Sequence, residues 1–414
     1  MSTYLKTLRQ FQEEMPKGFD SIAVDIVGFC NAKCKYCPAG NDLSNKGSYI
    51  DIKLYEHILS KLIEYKFYSE ETNFHIYCLG EPCLHPQLNE ILKVTNKYNI
   101  KTNISTNASV VPLLDKDGLS CVERILISMP GFSQSSYNKI HGFNFEKIKE
   151  NILKLKEMVA KNAPAGKKIQ FDMSYHIYQF NQDEIMEARE FCTNNNIRFA
   201  PNYAVLMDKN KCMEYVTNTM SYEELKDISK ELFLGVLDEQ ISVSPRNYCD
   251  FQERFLSINE KGDIRICSSF KKDYEKNILC GNILNDPIDE IISKKYNHAR
   301  CDQCIKAGLT LGKGYDCKIF PNSYFGLMKE NEYLYNVIKN SKNDEDEVDK
   351  DLIYIRQVRL WEQEHYSDVE LNKLLSILKD DYYDMNNIEK LVIQYGRFGR
   401  KTFDKLHDIL ANFK

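Results

Sequence analysis

Three cysteines near the start of the chain have the residue type and the spacing to hold an iron–sulfur cluster. Cys30, Cys34 and Cys37 form a C-x3-C-x2-C run within one short segment. Cysteine thiolates at short, fixed spacings bind Fe–S clusters, and three of them would hold three corners of a cubane. With no fourth cysteine close by, one iron keeps an open, reactive position, as catalytic zinc does. The alternative is a zinc site, which prefers paired cysteines with a fourth Cys or His ligand.

A second group of cysteines in the later part of the chain could also hold a metal centre: Cys249, Cys267, Cys301 and Cys304. The segment Ile258–Cys267 has the pattern of a small hairpin turning at Lys261–Asp263, which would bring the first two cysteines to one end. Spacing alone fits four-thiolate zinc as well as Fe–S, and the upstream motif favours iron. Cys280 and Cys317 lie nearby in sequence. Each could replace one of these four ligands or could donate a hydrogen atom.

Composition and charge exclude several classes of protein. The chain has 414 residues, 43% of them hydrophobic, and a net charge of −5, which argues against general disorder and against binding through nucleic-acid phosphates. It contains no apolar run of 18 residues and no N-terminal secretory signal. We therefore expect a cytoplasmic protein with no membrane and no nucleic-acid partner. In that compartment disulfides are reduced, so the 14 cysteines point to metal ligation, catalysis or packing.

The elements that must position these cysteines alternate in type along the first half of the chain. Helical periodicity falls at about 51–66, 86–98, 133–162 and 182–195, with Asp51 and Asp183 as N-cap candidates. Between these segments lie six short runs typical of strands: Ser21–Gly28, Asn73–Leu79, Lys101–Thr106, Arg124–Met129, Ile169–Tyr178 and Ile197–Val205. Strand–helix alternation predicts a parallel sheet, here a partial (β/α)6 barrel with its chemistry at the carboxyl ends of the strands.

The pattern divides the chain into three parts. Residues 1–235 are predicted to form the α/β partial barrel, and residues 236–320 a small Cys-rich auxiliary-cluster domain. Residues 321–414 follow as a C-terminal helical extension, which includes an acidic linker at 341–349.

The Cys30 motif, its place after the first strand and the aromatic Tyr36 before its last cysteine resemble the radical S-adenosylmethionine (SAM) superfamily. The resemblance covers roughly residues 18–205. It implies that SAM binds the open iron through its amino and carboxylate groups. One electron then cleaves SAM to methionine and a 5′-deoxyadenosyl radical, which abstracts hydrogen from a substrate.

Further positions match this family's cofactor-binding residues in order and at strand ends. Gly80, Glu81 and Pro82 resemble the motif that receives the SAM amino group. Ser105 and Asn107, at the end of the third strand, resemble contacts to the ribose or carboxylate. Two more candidate SAM contacts are Tyr36 and Ser128.

The second cysteine group resembles the auxiliary-cluster region of radical SAM enzymes with SPASM or shorter Twitch domains. The shared features are C-x12-G-x4-C from Cys249 to Cys267 and the following Gly281–Ile283. The rest of the full SPASM cysteine run is missing, which implies one auxiliary [4Fe–4S] cluster rather than two.

Two kinds of substrate stay open. The first hypothesis is oxidation or epimerisation of a sugar or aminocyclitol. The alternative is modification of a peptide or protein by thioether formation, epimerisation or dehydrogenation. Catalytic candidates are Cys280, Cys317, His176 and Tyr178, and Asn202 and Tyr203 are further polar groups at strand ends. The expected electron donor is a flavodoxin or ferredoxin.

Overall fold

The computed structural model describes residues 5–40, 47–181, 184–217, 247–270 and 278–310, together with short pieces between 219 and 237. Several sequence predictions lie outside these residues: the N-cap Asp183, Cys317, the acidic linker and the helices after 321. The described residues divide into two compact units. The larger one contains the described parts of 1–202, 206–213 and 245–310, and with them both cysteine groups.

A sheet of nine strands, in the order β6-β5-β4-β3-β2-β1-β7-β8-β9, forms the centre of this unit. Strands β1 to β5 pair in parallel, with β6 beside β5. All six predicted strands are present, with the following bounds: β1 Ser21–Val24, β2 Asn73–His75, β3 Thr102–Thr106, β4 Val122–Met129, β5 Gln170–Ile177 and β6 Arg198–Tyr203. The predicted partial barrel of alternating strands and helices is confirmed.

Helices connect these strands and continue beyond β6. Their bounds are α1 Leu8–Glu14, α2 Ile52–Glu64, α3 Leu88–Lys97, α4 Lys116–Leu119, α5 Gln134–Lys139, α6 Phe145–Asn162, α7 Ile185–Asn194, α8 Lys209–Val216, α9 Asp250–Arg254, α10 Ile288–Tyr296 and α11 Ala299–Ala307. As predicted, Asp51 caps α2 by accepting hydrogen bonds from two backbone N–H groups. The segment predicted as helical over 133–162 is two helices, because Gly142 has φ +77° and Asn144 caps α6. None of these helices is long and apolar enough to cross a membrane.

A hairpin extends the sheet on the far side of β1. It consists of β7 Phe255–Ile258 and β8 Asp263–Arg265, followed by β9 Leu279–Asn282. β7 is parallel to β1, whereas β8 is antiparallel to both β7 and β9. The turn includes Gly262 at φ +88°, a conformation that favours glycine. The predicted hairpin is therefore confirmed.

Side chains alternate between the two faces of the barrel strands. On the outer face, Met129 accepts a hydrogen bond from Tyr137 of α5, and Met173 contacts Cys192 of α7. The inner face carries polar residues, and Ser128 of β4 lies beside Ser174 of β5. Near the amino ends of the strands, Asp172 is buried and binds two arginines: Arg198 in a bidentate pair and Arg124 at 3.4 Å. Charge at that end of the inner face is thus compensated.

Candidate radical SAM site and auxiliary cysteine site

Cys30, Cys34 and Cys37 come together in the loop between β1 and α2. The backbone N–H of Cys37 donates to the carbonyl of Cys34 at 3.2 Å. Burial raises the pKa of Cys30 to about 12, and the nearby Glu81 and Cys37 add to this. Burial also raises the pKa of Cys34, with Cys37 and Cys30 contributing. The three thiols thus lie within electrostatic reach of one another and need a bound cation to ionise together.

Hydrogen-bond donors surround the sulfur atoms of this loop. The Cys30 Sγ lies 3.5 Å from the backbone N of Ala32 and 3.7 Å from Asn107 Nδ2. Backbone N–H groups of Ala39 and Gly40 bond to Cys37 and lower its pKa against the larger effect of burial. Such donors stabilise thiolates and tune Fe–S clusters.

The donor set of the Cys30 loop consists of three thiols with N–H groups around them. Thiolates bind the irons of a cubane, and N–H donors stabilise the thiolates. The thiols and donors of the Cys30 loop therefore fit a [4Fe–4S] cluster.

Asp25, directly after β1, organises the end of β2. One of its carboxylate oxygens accepts hydrogen bonds from the backbone N–H groups of Cys78, Leu79 and Gly80, at 2.7, 2.8 and 3.2 Å. The other binds Arg265 of β8 at 2.7 Å. Sequence reasoning missed this residue, although an acidic residue directly after an apolar strand was a signal for it.

The Gly80–Pro82 motif is held tightly against the cysteine loop. A side chain at Gly80 would place its Cβ 1.7 Å from the carbonyl oxygen of Val27, so only glycine fits. The backbone N–H of Glu81 donates to the carbonyl of Phe29 at 3.0 Å. Pro82 is buried and starts a single 3-10 turn. The structure thus places the motif beside the loop that it was predicted to serve.

The buried carboxylate of Glu81 ties β2 to β3. It accepts hydrogen bonds from the Thr106 hydroxyl at 2.7 Å and from the backbone N–H groups of Asn107 and Cys83 at 2.8 and 3.1 Å. Burial raises its pKa, while these donors lower it. Asn107 in turn donates to the side chain of Asn31 at 2.9 Å. One network therefore connects the Gly80–Pro82 motif, the end of β3 and the cysteine loop.

The remaining SAM-contact candidates lie in two places. Tyr36 is buried, with its ring centroid 6.2 Å from that of Tyr178. Tyr178 is also buried and stacks on Phe180 at 4.9 Å. Ser105 and Ser128 are part-exposed positions of β3 and β4 that alternate with buried outer-face residues, which places both on the inner face.

Two histidines lie together near the cysteine loop. His176 Nε2 is 3.4 Å from the Ser174 hydroxyl, which also accepts a hydrogen bond from Asn202 at 3.3 Å. Burial lowers the pKa of His176 to about 4. Burial, together with the nearby His176, lowers the pKa of His141 to about 3. The carbonyl of His141 accepts from the backbone N–H of Lys33 at 3.4 Å, which fixes it to the loop, and no sequence pattern singled this histidine out.

The four predicted auxiliary ligands are brought together from three parts of the chain. Cys249 precedes α9, Cys267 follows β8, and Cys301 and Cys304 lie one helical turn apart on α11. Burial raises the pKa of Cys301, and Cys267, Cys249 and Cys304 raise it further. Burial also raises the pKa of Cys304 to about 11, with Cys267 and Cys249 contributing. All four thiols thus act on one another electrostatically.

The other cysteines differ in their surroundings. Cys280 on β9 is buried, and burial raises its pKa to about 12 while Lys295 and Lys294 lower it. It lies beside the auxiliary group without being one of the four. Cys121, Cys192 and Cys212 are buried in the core.

Comparisons with solved structures found distant similarities. SuiB from Streptococcus suis, bound to S-adenosylmethionine, is 16% identical with a TM-score of 0.45, covering 72% of this chain and 71% of SuiB. BtrN in complex with AdoMet and 2-DOIA is 15% identical with a TM-score of 0.38, covering 70% and 88%. The enzyme anSMEcpe with bound AdoMet is 16% identical with a TM-score of 0.43, covering 67% and 81%. A search of the curated proteins found no match.

One family model matches part of the chain. The description "Radical SAM superfamily" matches residues 24–192, the segment that holds the cysteine loop, the Gly80–Pro82 motif and strands β1 to β5. This match confirms the resemblance carried by the Cys30 motif, and SAM and a [4Fe–4S] cluster are the cofactors of that superfamily. Residues 24–192 thus match the model of the radical SAM superfamily, the family that the Cys30 motif resembles.

Proposed function

We propose that this chain oxidises or epimerises a small, polyhydroxylated substrate of the sugar or aminocyclitol type. Cys30, Cys34 and Cys37 would hold the first [4Fe–4S] cluster, beside the Gly80–Pro82 motif. When bound, the cluster and SAM supply a 5′-deoxyadenosyl radical that can remove a hydrogen atom from an unactivated carbon. The electron for SAM cleavage would come from a flavodoxin or ferredoxin.

The neutral, polar inner face of the barrel is the observation that carries this proposal. Toward the carboxyl ends of the strands it presents hydroxyl, amide and imidazole groups: Ser105, Ser128, Ser174, His176 and Asn202. With a pKa of about 4, His176 is uncharged at neutral pH. Such groups both donate to and accept from hydroxyls, so they suit a polyhydroxylated substrate. The charge of Asp172 on this face is compensated by Arg124 and Arg198.

The proposal also gives the second cysteine group a role. Cys249, Cys267, Cys301 and Cys304 would hold one auxiliary [4Fe–4S] cluster, and their shared electrostatic environment supports this. Removing a hydrogen atom from a carbinol carbon and then the proton from its hydroxyl group leaves one electron to be accepted when the product is a ketone. An epimer needs a hydrogen atom instead. A second cluster could accept the electron, which is consistent with formation of a ketone.

Substrate-dependent SAM cleavage tests the proposal. The full chain, reconstituted anaerobically with iron and sulfide, would be incubated with SAM, a reductant and separate pools of sugars, aminocyclitols and peptides. We expect 5′-deoxyadenosine formation to rise with a member of the polyhydroxylated pools. Deuterium at the reacting carbon should appear in the 5′-deoxyadenosine. Stimulation by the peptide pool alone would overturn the choice of substrate class.

A pair of serine variants tests whether the inner face binds this substrate. Ser174→Ala removes a hydroxyl that links His176 and Asn202, so we expect KM to rise about tenfold, the value of one lost hydrogen bond to a bound group. The matched control is Ser120→Ala, whose hydroxyl bonds the Lys116 carbonyl before β4 begins. Equal KM values for the two variants would count against an inner-face pocket.

A further inference from the structure

Lys295 of α10 is a buried lysine. Its residue is 2% exposed, and among the described residues no Asp or Glu forms an ion pair with it. The ammonium lies 3.5 Å from the carbonyl of Phe251 and 5.6 Å from the ring centroids of both Phe19 and Tyr296. A buried charge is costly unless another charge compensates it. Negative charge of another kind in the surroundings of Lys295 would compensate its ammonium.

The auxiliary thiols are the groups that can supply it. Phe251, whose carbonyl faces the ammonium, is two residues after Cys249. Gln252 donates to the carbonyls of Lys295 and Tyr296 at 3.4 and 3.0 Å, which fixes α9 against α10. Burial lowers the pKa of Lys295, and the thiols that oppose this are Cys280, Cys301, Cys267 and Cys249. Packing thus holds one ammonium beside three of the four proposed cluster ligands.

Two further cations lie on the Cys304 side of the same group. Lys209 and Arg300 both lower the pKa of Cys304 against the larger effect of burial. The backbone N–H of Lys209 donates to the Ser269 carbonyl at 2.8 Å, and Arg300 packs over the Phe270 ring and bonds Asn210. Both are therefore anchored close to Cys267. At the Cys30 loop the neighbouring charges have the opposite sign, with Glu81 beside Cys30 and Cys34, and Asp25 beside Cys37.

We infer that Lys295, supported by Lys209 and Arg300, raises the reduction potential of the auxiliary cluster. The inference rests on the proposed function, since it needs a cluster at Cys249–Cys304. Reduction adds one negative charge to a cluster, and a nearby cation in a poorly solvated site stabilises the added charge. Ketone formation releases one proton and one electron from the substrate radical. A raised potential makes the auxiliary cluster the oxidant for that electron and favours oxidation over epimerisation.

A redox titration followed by EPR tests this inference on the full chain. In Lys295→Met, the midpoint potential of the auxiliary cluster should shift to more negative values, while that of the SAM-binding cluster stays unchanged. Added SAM distinguishes the two signals, because it binds only the cluster with an open iron. Lys295→Arg keeps the charge and should restore most of the potential. The matched control is Lys294→Met, which removes an exposed charge from the same helix and should cause little shift.

Each outcome decides for or against the inference. An unchanged auxiliary potential in Lys295→Met, or an equal shift in Lys294→Met, overturns it. If Lys295→Met does not load a second cluster, Lys209→Met replaces it, with a shift in the same direction expected, and an unchanged potential in that variant overturns the inference as well. Failure of the proposed function would be seen separately, as wild-type protein without a second EPR signal or with about four irons instead of about eight.

Discussion

Cys30, Cys34 and Cys37 come from one loop, whereas the auxiliary cysteines come from three places between residues 249 and 304. The first set needs only a strand before it and the Gly80–Pro82 motif beside it. The second depends on the β7–β8 hairpin and on α11 packing in the right place. Spacing alone can therefore indicate a metal site built from one segment, whereas a site assembled from several elements also depends on how those elements pack.

The charges around the two sites differ as much as their construction does. Carboxylates of Asp25 and Glu81 lie near the first site, and each is held by backbone N–H donors. The second site has the buried ammonium of Lys295 and, at Cys304, Lys209 and Arg300. Cysteine ligands thus lie in two different electrostatic environments. This difference is the basis for proposing different electron-transfer roles for the two sites.

The largest expected effect comes from breaking the first site. Cys30→Ala removes a thiolate that no other described side chain can replace in the loop, so SAM cleavage should fall to background. Iron content should fall from about eight to about four per chain. Both are measured after anaerobic reconstitution, by 5′-deoxyadenosine formation and by iron analysis.

The matched control for this change is Cys121→Ala. Cys121 is also buried, but its Sγ lies near the carbonyls of Leu92 and Gly118, 3.3 and 3.4 Å away, in the core. It should keep both iron and activity. Loss of activity in both variants would mean that general destabilisation, and not cluster loss, explains the result.

A smaller effect is expected from breaking the second site. Cys301→Ala should also lower iron to about four per chain, yet leave SAM cleavage without substrate largely intact. Substrate turnover should fall, because the proposed oxidant is gone. Finding that SAM cleavage is lost as completely as in Cys30→Ala would contradict the separation of roles.

The sequence predicted the barrel strands, the hairpin and the first cysteine loop because each depends on local signals. The runs at Ser21–Gly28 and Arg124–Met129 were apolar and β-branched, and the Lys261–Asp263 turn had its glycine in place. It did not predict the division of 133–162, because helical periodicity continues through Gly142. It also could not predict the Asp25–Arg265 pair, whose members are 240 residues apart and meet only when β8 joins the sheet.

That pair connects the two regions, and breaking it should cost stability more than activity. Arg265 and Asp25 side chains are 4% and 1% exposed, at 2.7 Å. Arg265→Met leaves a buried carboxylate without its cation, so we expect a loss of about 3–5 kcal/mol in the free energy of unfolding. Urea denaturation of the apo and reconstituted protein measures it.

A second arginine provides the comparison for this change. Arg254 also links the hairpin region to the start of β1, through Asp20 at 3.2 Å, but both side chains are largely exposed. Arg254→Met should cost less than about 1 kcal/mol. Similar losses for the two variants would show that the buried pair has no special role in joining the two regions.

The smallest expected effect is the pH dependence of stability that comes from His141, a residue near the Cys30 loop. Burial lowers its pKa to about 3 from an ordinary 6.5, so below pH 6.5 the unfolded chain binds a proton that the folded chain excludes. Stability should therefore fall as pH drops from 6.5 toward 3, by up to about 1.4 kcal/mol per pH unit for this residue. His176, with a pKa of about 4, adds a similar loss above pH 4. His141→Gln should remove only its own share, so urea unfolding at pH 7 and pH 5.5 should give a smaller difference than in the wild type. An equal acid sensitivity in wild type and His141→Gln would place the cause elsewhere in the molecule.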